Sequence, residues 1–159
     1  MTTQNLYDKD FYGWIYHNIE LIRLGQWEAI DKTLLIEELE SMARRDKHEL
    51  ISHLIILIAH LLKWQFQLKQ LSQIWSEFEG KSWKRSIDEQ RNQIQRQLKM
   101  SPSLKSYLLQ AVAESYEDAV TLASKETQLS ITLFPLRCPY AIEQLLDEDF
   151  YPIPENKAL

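Results

Sequence analysis

Residues 48–65 read HELISHLIILIAHLLKWQ. Three of the chain's four histidines fall in these eighteen positions, two of them within a run made almost entirely of Leu and Ile. The most apolar part, Leu54 to Leu62, is nine residues long and contains His60. A bilayer-spanning helix needs about 20 apolar residues, so this run is expected to be a core segment and not a membrane span. Neither Pro nor Gly occurs between Gly25 and Gly80, so nothing stops a helix from about Lys32 to Leu68, with Asp31 as its N-cap. One unbroken helix of that length would be about 55 Å long at ~1.5 Å per residue. The alternative is two nearly collinear helices parted at Arg44-Arg45-Asp46-Lys47. Either way this is the central element of the fold.

A helical wheel sorts the stretch into faces. Ile36, Leu39, Ala43, Leu50, Leu54, Leu61 and Leu68 form the strongest apolar stripe and are expected to face the core. Asp46, Glu49, His53 and His60 lie beside it, within about 60° of one another, and form a polar seam. His48 points almost the opposite way. Glu49 and His53, at i and i+4, are about 6 Å apart along the axis and could share one ion. His53 and His60 are about 10 Å apart and need ligands from another helix to do so. His17, Asp8, Asp10, Glu37 and Glu38 are the candidates. Glu49, His53 and His60 are therefore the metal or acid–base candidates, and a divalent metal is the only cofactor they suggest. The bland reading is stronger, because a histidine bonded to a carboxylate or carbonyl can specify packing without chemistry. No His-Glu-x-x-His or Glu-x-x-His spacing is present, which removes the common zinc-protease and di-iron patterns.

On the N-terminal side, residues 1 to 5 read as a loose end. Phe11, Trp14, Ile15, Ile19 and Ile22 recur at threes and fours and predict one helix from Leu6 to Leu24, with Gly25 as C-terminal cap and Gly13 as its weak spot. Asp8 and Asp10 would sit near the positive end of its dipole. Trp27 and Ile30 occupy a short connector. On the C-terminal side, Gly80 marks a turn and Ser82 would cap a surface helix from Trp83 to Lys99 with a narrow apolar line of Trp83, Ile87, Ile94 and Leu98. Ser101-Pro102 would start the next helix, running to Lys125. Its core face is Leu104, Leu108, Ala111, Val112, Ala119 and Leu122. Residues 130–139 are expected to be irregular, Cys138-Pro139 to open a short helix to Leu146, and Asp147-Glu148-Asp149 with Tyr-Pro-Ile-Pro to end the fold.

The chain has 159 residues, three glycines, five prolines and a formal net charge of −5. That length suits one domain spanning 1–159, and the composition favours helix over sheet. An acidic balance offers no overall attraction to nucleic acid. Residues 81 to 99 are an exception, and Lys84, Arg85, Arg91 and Arg96 are the candidates for phosphate contact. Interspersed acids argue for a solvated face instead. Arg85 or Arg91 would also be the partner of any glutamate among Glu37, Glu38 and Glu40 that turned inward. A single cysteine, Cys138, excludes a disulfide framework or a multi-cysteine zinc site within the chain; at a helix N-terminus its pKa could be lowered. The N-terminal residues lack a secretory pattern, so a cytoplasmic location is expected. The early aromatics Tyr7, Phe11, Tyr12, Trp14, Tyr16 and Trp27, followed by Trp64, Phe66, Trp75, Phe78 and Trp83, read first as packing of helix on helix. Any left exposed would anchor a protein partner.

Several short runs together resemble a known family. They are Tyr7-Asp8-Lys9-Asp10-Phe11, Glu37-Glu38-Leu39-Glu40-Ser41-Met42, His60-Leu61-Leu62-Lys63-Trp64-Gln65, Ser82-Trp83, Glu89-Gln90-Arg91, Ser101-Pro102-Ser103-Leu104, Tyr116-Glu117-Asp118-Ala119, Cys138-Pro139-Tyr140 and Asp147-Glu148-Asp149-Phe150. In order and spacing, over about residues 5–153, they resemble the twenty-ninth family of domains of unknown function. That is a bacterial group, abundant in cyanobacteria and usually a stand-alone domain. The resemblance implies an all-helical fold, with the equivalent of His60 inside a His-Leu-Leu-Lys-Trp signature. It implies no activity, cofactor or catalytic residue. The expectation is a single-domain, all-α bundle of five or six helices around a long central helix. Its expected role is that of an interaction or binding module with a protein partner or a second copy. The alternatives are a metal-dependent, hydrolase-like enzyme and weak nucleic-acid binding through residues 81–99.

Overall fold

The computed structural model describes residues 3–74 and 80–155. Trp75 and Phe78, named above among the aromatics, lie outside the described residues. Among the described residues there is no strand, and six α-helices follow in order: α1 (Thr3–Lys9), α2 (Phe11–Arg23), α3 (Lys32–Ile74), α4 (Lys81–Met100), α5 (Leu108–Thr127) and α6 (Ile142–Leu146). The all-α class with a long central helix is what the chain adopts. α3 passes unbroken through Arg44–Lys47, so the single-helix alternative holds. Contacts divide the chain into two compact units, residues 1–45 and 46–159.

In the N-terminal unit, the helix expected from Leu6 to Leu24 is two helices. Asp10 leaves helical geometry at φ −147°, and its carboxylate accepts the Gly13 N–H at 2.9 Å. That is an N-cap bond, and it restarts the helix as α2. A methyl group at Gly13 would run into that carboxylate. The glycine read as a weak spot is therefore what allows the cap, and Asp10 stands at the positive end of α2 with this bond as its contact. α2 closes as expected at Gly25. Its φ is +68°, and the Gly25 and Gln26 N–H groups bond the carbonyls of Ile22 and Leu21 at 3.0 and 2.9 Å, the Schellman arrangement. Asp31 accepts the Leu34 N–H at 3.1 Å and caps α3. Tyr7, Phe11 and Trp14 form a ring cluster with centroids 5.0–5.8 Å apart, and the Tyr7 hydroxyl donates to Glu38.

The C-terminal unit holds the large core. Leu50, Leu54, Leu57, Ile58, Leu61 and Leu62 of α3 are fully buried in one cluster with Ile87, Ile94 and Leu98 of α4 and Ala111, Ala119 and Ala123 of α5. Each such leucine or isoleucine stabilises the fold by about 1.5–3 kcal/mol relative to exposure. The alanines on α5 let helix backbones approach closely. α3 is long and apolar enough to cross a membrane by length and composition, but half of its most apolar stretch is buried inside the protein.

Three helix starts differ from expectation. α4 begins at Lys81 behind Gly80 at φ +68°, so Ser82 lies inside the helix. A side chain at Gly80 would strike Leu68 and Trp64, so the turn needs glycine for space as well as for its backbone angle. Pro102 opens a 3₁₀ segment, Pro102–Tyr107, which feeds α5 at Leu108. Cys138-Pro139 does not start α6, which begins at Ile142; there the Gln144 side chain accepts the Ala141 N–H at 2.9 Å.

Candidate functional site

The polar seam of α3 opens out once its neighbours are in place. His53 Nδ1 lies 2.7 Å from Gln90 Oε1 on α4, and Nε2 lies 3.7 Å from Glu49 Oε1. An amide oxygen only accepts, so Nδ1 carries a proton and donates. Glu49 and His53 do approach one another, but Glu49 stays exposed. The next helix supplies an amide and not a third charged ligand. Asp46 is exposed, and its backbone carbonyl accepts from Gln97 Nε2 at 2.7 Å. His60 is not joined to this pair. Its Nδ1–H donates to the Ile56 carbonyl at 2.8 Å, one turn back on its own helix. Among the described residues, no group of three or more His, Cys, Asp or Glu side chains could hold a metal ion.

A second cluster forms around His60. Lys63, one turn on, is 7% exposed. Its ammonium bonds Glu126 of α5 at 2.7 Å and lies 4.8 Å from the centre of the Trp83 ring of α4. Burial lowers the His60 pKa and the Lys63 charge adds to the lowering, while the bond to the Ile56 carbonyl and, less, the Glu126 charge partly oppose it. His60 is thus held neutral near pH 7. Trp64 packs against Tyr151 at 4.9 Å. Gln65 accepts the Tyr140 hydroxyl at 2.7 Å and receives the Glu155 N–H on its backbone carbonyl at 2.6 Å. Sequence reasoning missed Lys63, Glu126 and Gln90. The one available signal was a lysine inside an apolar run, since a buried lysine must find an anion.

The basic candidates do not share a face. Arg91 is 1% exposed; its Nε donates to the Leu145 carbonyl at 2.8 Å and its Nη2 to that of Gln144 at 3.1 Å. Gln95 adds a bond to the Leu146 carbonyl at 3.2 Å. Side chains of α4 thereby satisfy the carbonyls left open at the C-terminus of α6. Arg85 and Arg96 are exposed. Lys84 borders a cleft of about 550 Å³ whose other walls include Asp88, Glu148, Asp149 and Tyr151, a poor setting for phosphate. A groove of about 620 Å³ runs between α5 and residues 131–136, floored by Tyr116, Val120 and Phe134. Cys138 is half-buried and its thiol lies 3.6 Å from the Tyr140 carbonyl. Burial pushes its pKa up, the reverse of the shift expected at a helix N-terminus.

The family model described as Domain of unknown function DUF29 matches residues 6–151. The chain belongs to the DUF29 family. No curated protein and no solved structure shows a match to it. The run His60-Leu61-Leu62-Lys63-Trp64-Gln65 has a physical content: Lys63, Trp64 and Gln65 join α3 to α4, α5 and the C-terminal segment. Trp83, Tyr116 and Tyr140 take part in the same kind of joint, with the Tyr116 hydroxyl donating to the Pro135 carbonyl at 2.5 Å.

Proposed function

We propose that this protein is a cytoplasmic protein-interaction module, and that its docking surface lies in residues 1–45. The observation behind this reading is an imbalance of apolar side chains. Among the described residues, fourteen large hydrophobic side chains are exposed, and nine of them belong to this unit: Phe11, Tyr12, Tyr16, Ile22, Leu24, Trp27, Ile36, Leu39 and Met42. Among the described residues of the unit, the buried hydrophobic side chains are Trp14, Leu21, Ile30 and Leu34. Single exposed hydrophobics are ordinary, but a unit that exposes more of them than it buries carries a surface suited to a partner, with aromatics as anchors. Replacing Tyr12, Trp27 or Leu39 in turn with a photo-cross-linking residue, in the living host, should give adducts of one discrete mass. Exposed control positions on the C-terminal unit, such as Lys105, should not give them. Equal or absent adducts at all positions would overturn the reading.

A second reading, a divalent metal held by Glu49 and His53, has the 3.7 Å approach of these two side chains in its favour. It predicts that stoichiometric zinc or nickel raises the thermal midpoint of the wild type and leaves a His53→Ala variant unmoved. A wild-type midpoint indifferent to either ion removes it.

A further inference from the structure

The part of α3 from Lys32 to Arg45 belongs wholly to the N-terminal unit. We infer that it pairs with the same segment of a second copy of this chain, antiparallel, about a two-fold axis passing between Glu40 and Ser41. This rests on the interaction reading above and names its partner.

Two features of the segment carry the inference. The first is its apolar face. Ile36, Leu39 and Met42 are 54%, 57% and 55% exposed, and Ala43 beside them is exposed too. Steps of three and four residues put them on one side of the helix, the spacing of a seam between paired helices. Ala43 leaves room for a larger side chain from across the seam. The second is the order of the charges. Glu37, Glu38 and Glu40 all precede Arg44 and Arg45. Glu40 and Arg44 border one edge of the apolar face, and Glu38 and Arg45 border the other.

A parallel copy in register would set acid beside acid and base beside base. An antiparallel copy reverses the order, so that the Glu40–Arg44 edge meets its own complement. Leu39 then packs against Met42 of the second copy, Glu40 lies less than one turn along the edge from that copy's Arg44 and within reach of its long side chain, and Glu38 keeps the Tyr7 hydroxyl of its own chain. Opposite charges flanking a seam choose orientation and partner in this way. An isologous interface of this kind is also closed, giving a dimer and not a filament. Among the described residues, Glu40 pairs with Arg44 of the same helix at 4.0 Å, and both are solvent-exposed, which leaves both groups able to take a second partner.

Size-exclusion chromatography with light scattering, run over a wide range of concentrations, should show the mass rising from monomer towards dimer. Leu39→Lys should raise the dimer dissociation constant at least about tenfold, as loss of a central anchor does. Its helix content should match that of the wild type, because Leu39 is exposed. Glu40→Arg alone and Arg44→Glu alone should each weaken the dimer, and the double swap should restore it. Three results would overturn the proposal: a monomer at every concentration, a dimer indifferent to Leu39→Lys, or a double swap as weak as the single changes. Cross-linking at Leu39 to a different protein, with the purified chain monomeric, would leave the interaction reading standing and remove only self-pairing.

Discussion

Glu126 carries more of the fold than its exposure suggests. Its side chain is 40% exposed, while that of Lys63, which it neutralises, is 9% exposed. Removing the acid leaves an ammonium enclosed by Trp83 and apolar neighbours. A fully buried pair broken in this way costs about 3–5 kcal/mol; partial solvation of Glu126 reduces that to about 1–2 kcal/mol. Urea unfolding of Glu126→Gln should show this loss, and Lys63→Met should cost less, because no unpaired charge remains inside. A Glu126→Gln protein as stable as the wild type would mean that the lysine finds another anion. His60 makes a pH prediction with a definite sign. Its folded pKa is lowered, so between that value and the ordinary value near 6.5 the unfolded chain binds more protons. Stability should therefore fall as the pH drops below about 6.5 and level off once the folded pKa is passed. His60→Gln should flatten that part of the profile, and an unchanged slope between pH 7 and 5 would exclude His60 as its source.

At the scale of elements, the sequence was most legible where one physical cause acted alone. α3 follows from the absence of Pro and Gly, the Asp31 cap and an apolar run. Gly25 follows from the need for a positive φ at a helix end. The boundaries that were misread are those where two causes compete. Ser82 has the chemistry of a cap, but Gly80 sets the backbone first; Ser101 and Pro102 do stand at the N-cap and first position, but of a 3₁₀ segment that feeds α5 and not of the α-helix itself. Gly13 has poor helix propensity, yet its missing Cβ admits the Asp10 carboxylate. Replacing glycine by alanine inside a helix normally stabilises by about 1 kcal/mol. Here Gly13→Ala should fail to do so and should destabilise by about the value of a cap, ~1 kcal/mol. In an Asp10→Ala background the same change should regain its normal stabilising sign. Thermal unfolding of the two single variants and the double one gives this cycle directly, and additive effects would show that the clash is not what Gly13 avoids. Of the candidate site, the neighbourhood of Glu49 and His53 was legible from i, i+4 spacing. Gln90, Glu126 and the burial of Arg91 were not, because each depends on which helices pack together, and a periodic pattern does not encode that.

At the scale of the molecule, one helix serves two units with different packing. From Leu50 onward α3 puts a continuous line of side chains into the large core, whereas its first two or three turns keep Ile36, Leu39 and Met42 in solvent. The single apolar stripe expected from Ile36 to Leu68 therefore divides into an exposed part and a buried part. Periodicity alone cannot tell them apart, because a core face and a docking face share the same spacing. Local opening has a free energy set by the burial it undoes, so amides in 32–45 should exchange with deuterated solvent faster than those in 50–66. The difference should persist in dilute protein, where no partner is present. Raising the concentration of the purified chain should then slow exchange in 32–45 selectively if a second copy covers Leu39, since a ligand that binds only the closed state adds its own free energy to the opening. Residues 50–66 should not respond, because their neighbours are already within the chain. Uniform slow exchange along all of α3 would mean that the N-terminal unit is stabilised by something other than its four buried apolar side chains.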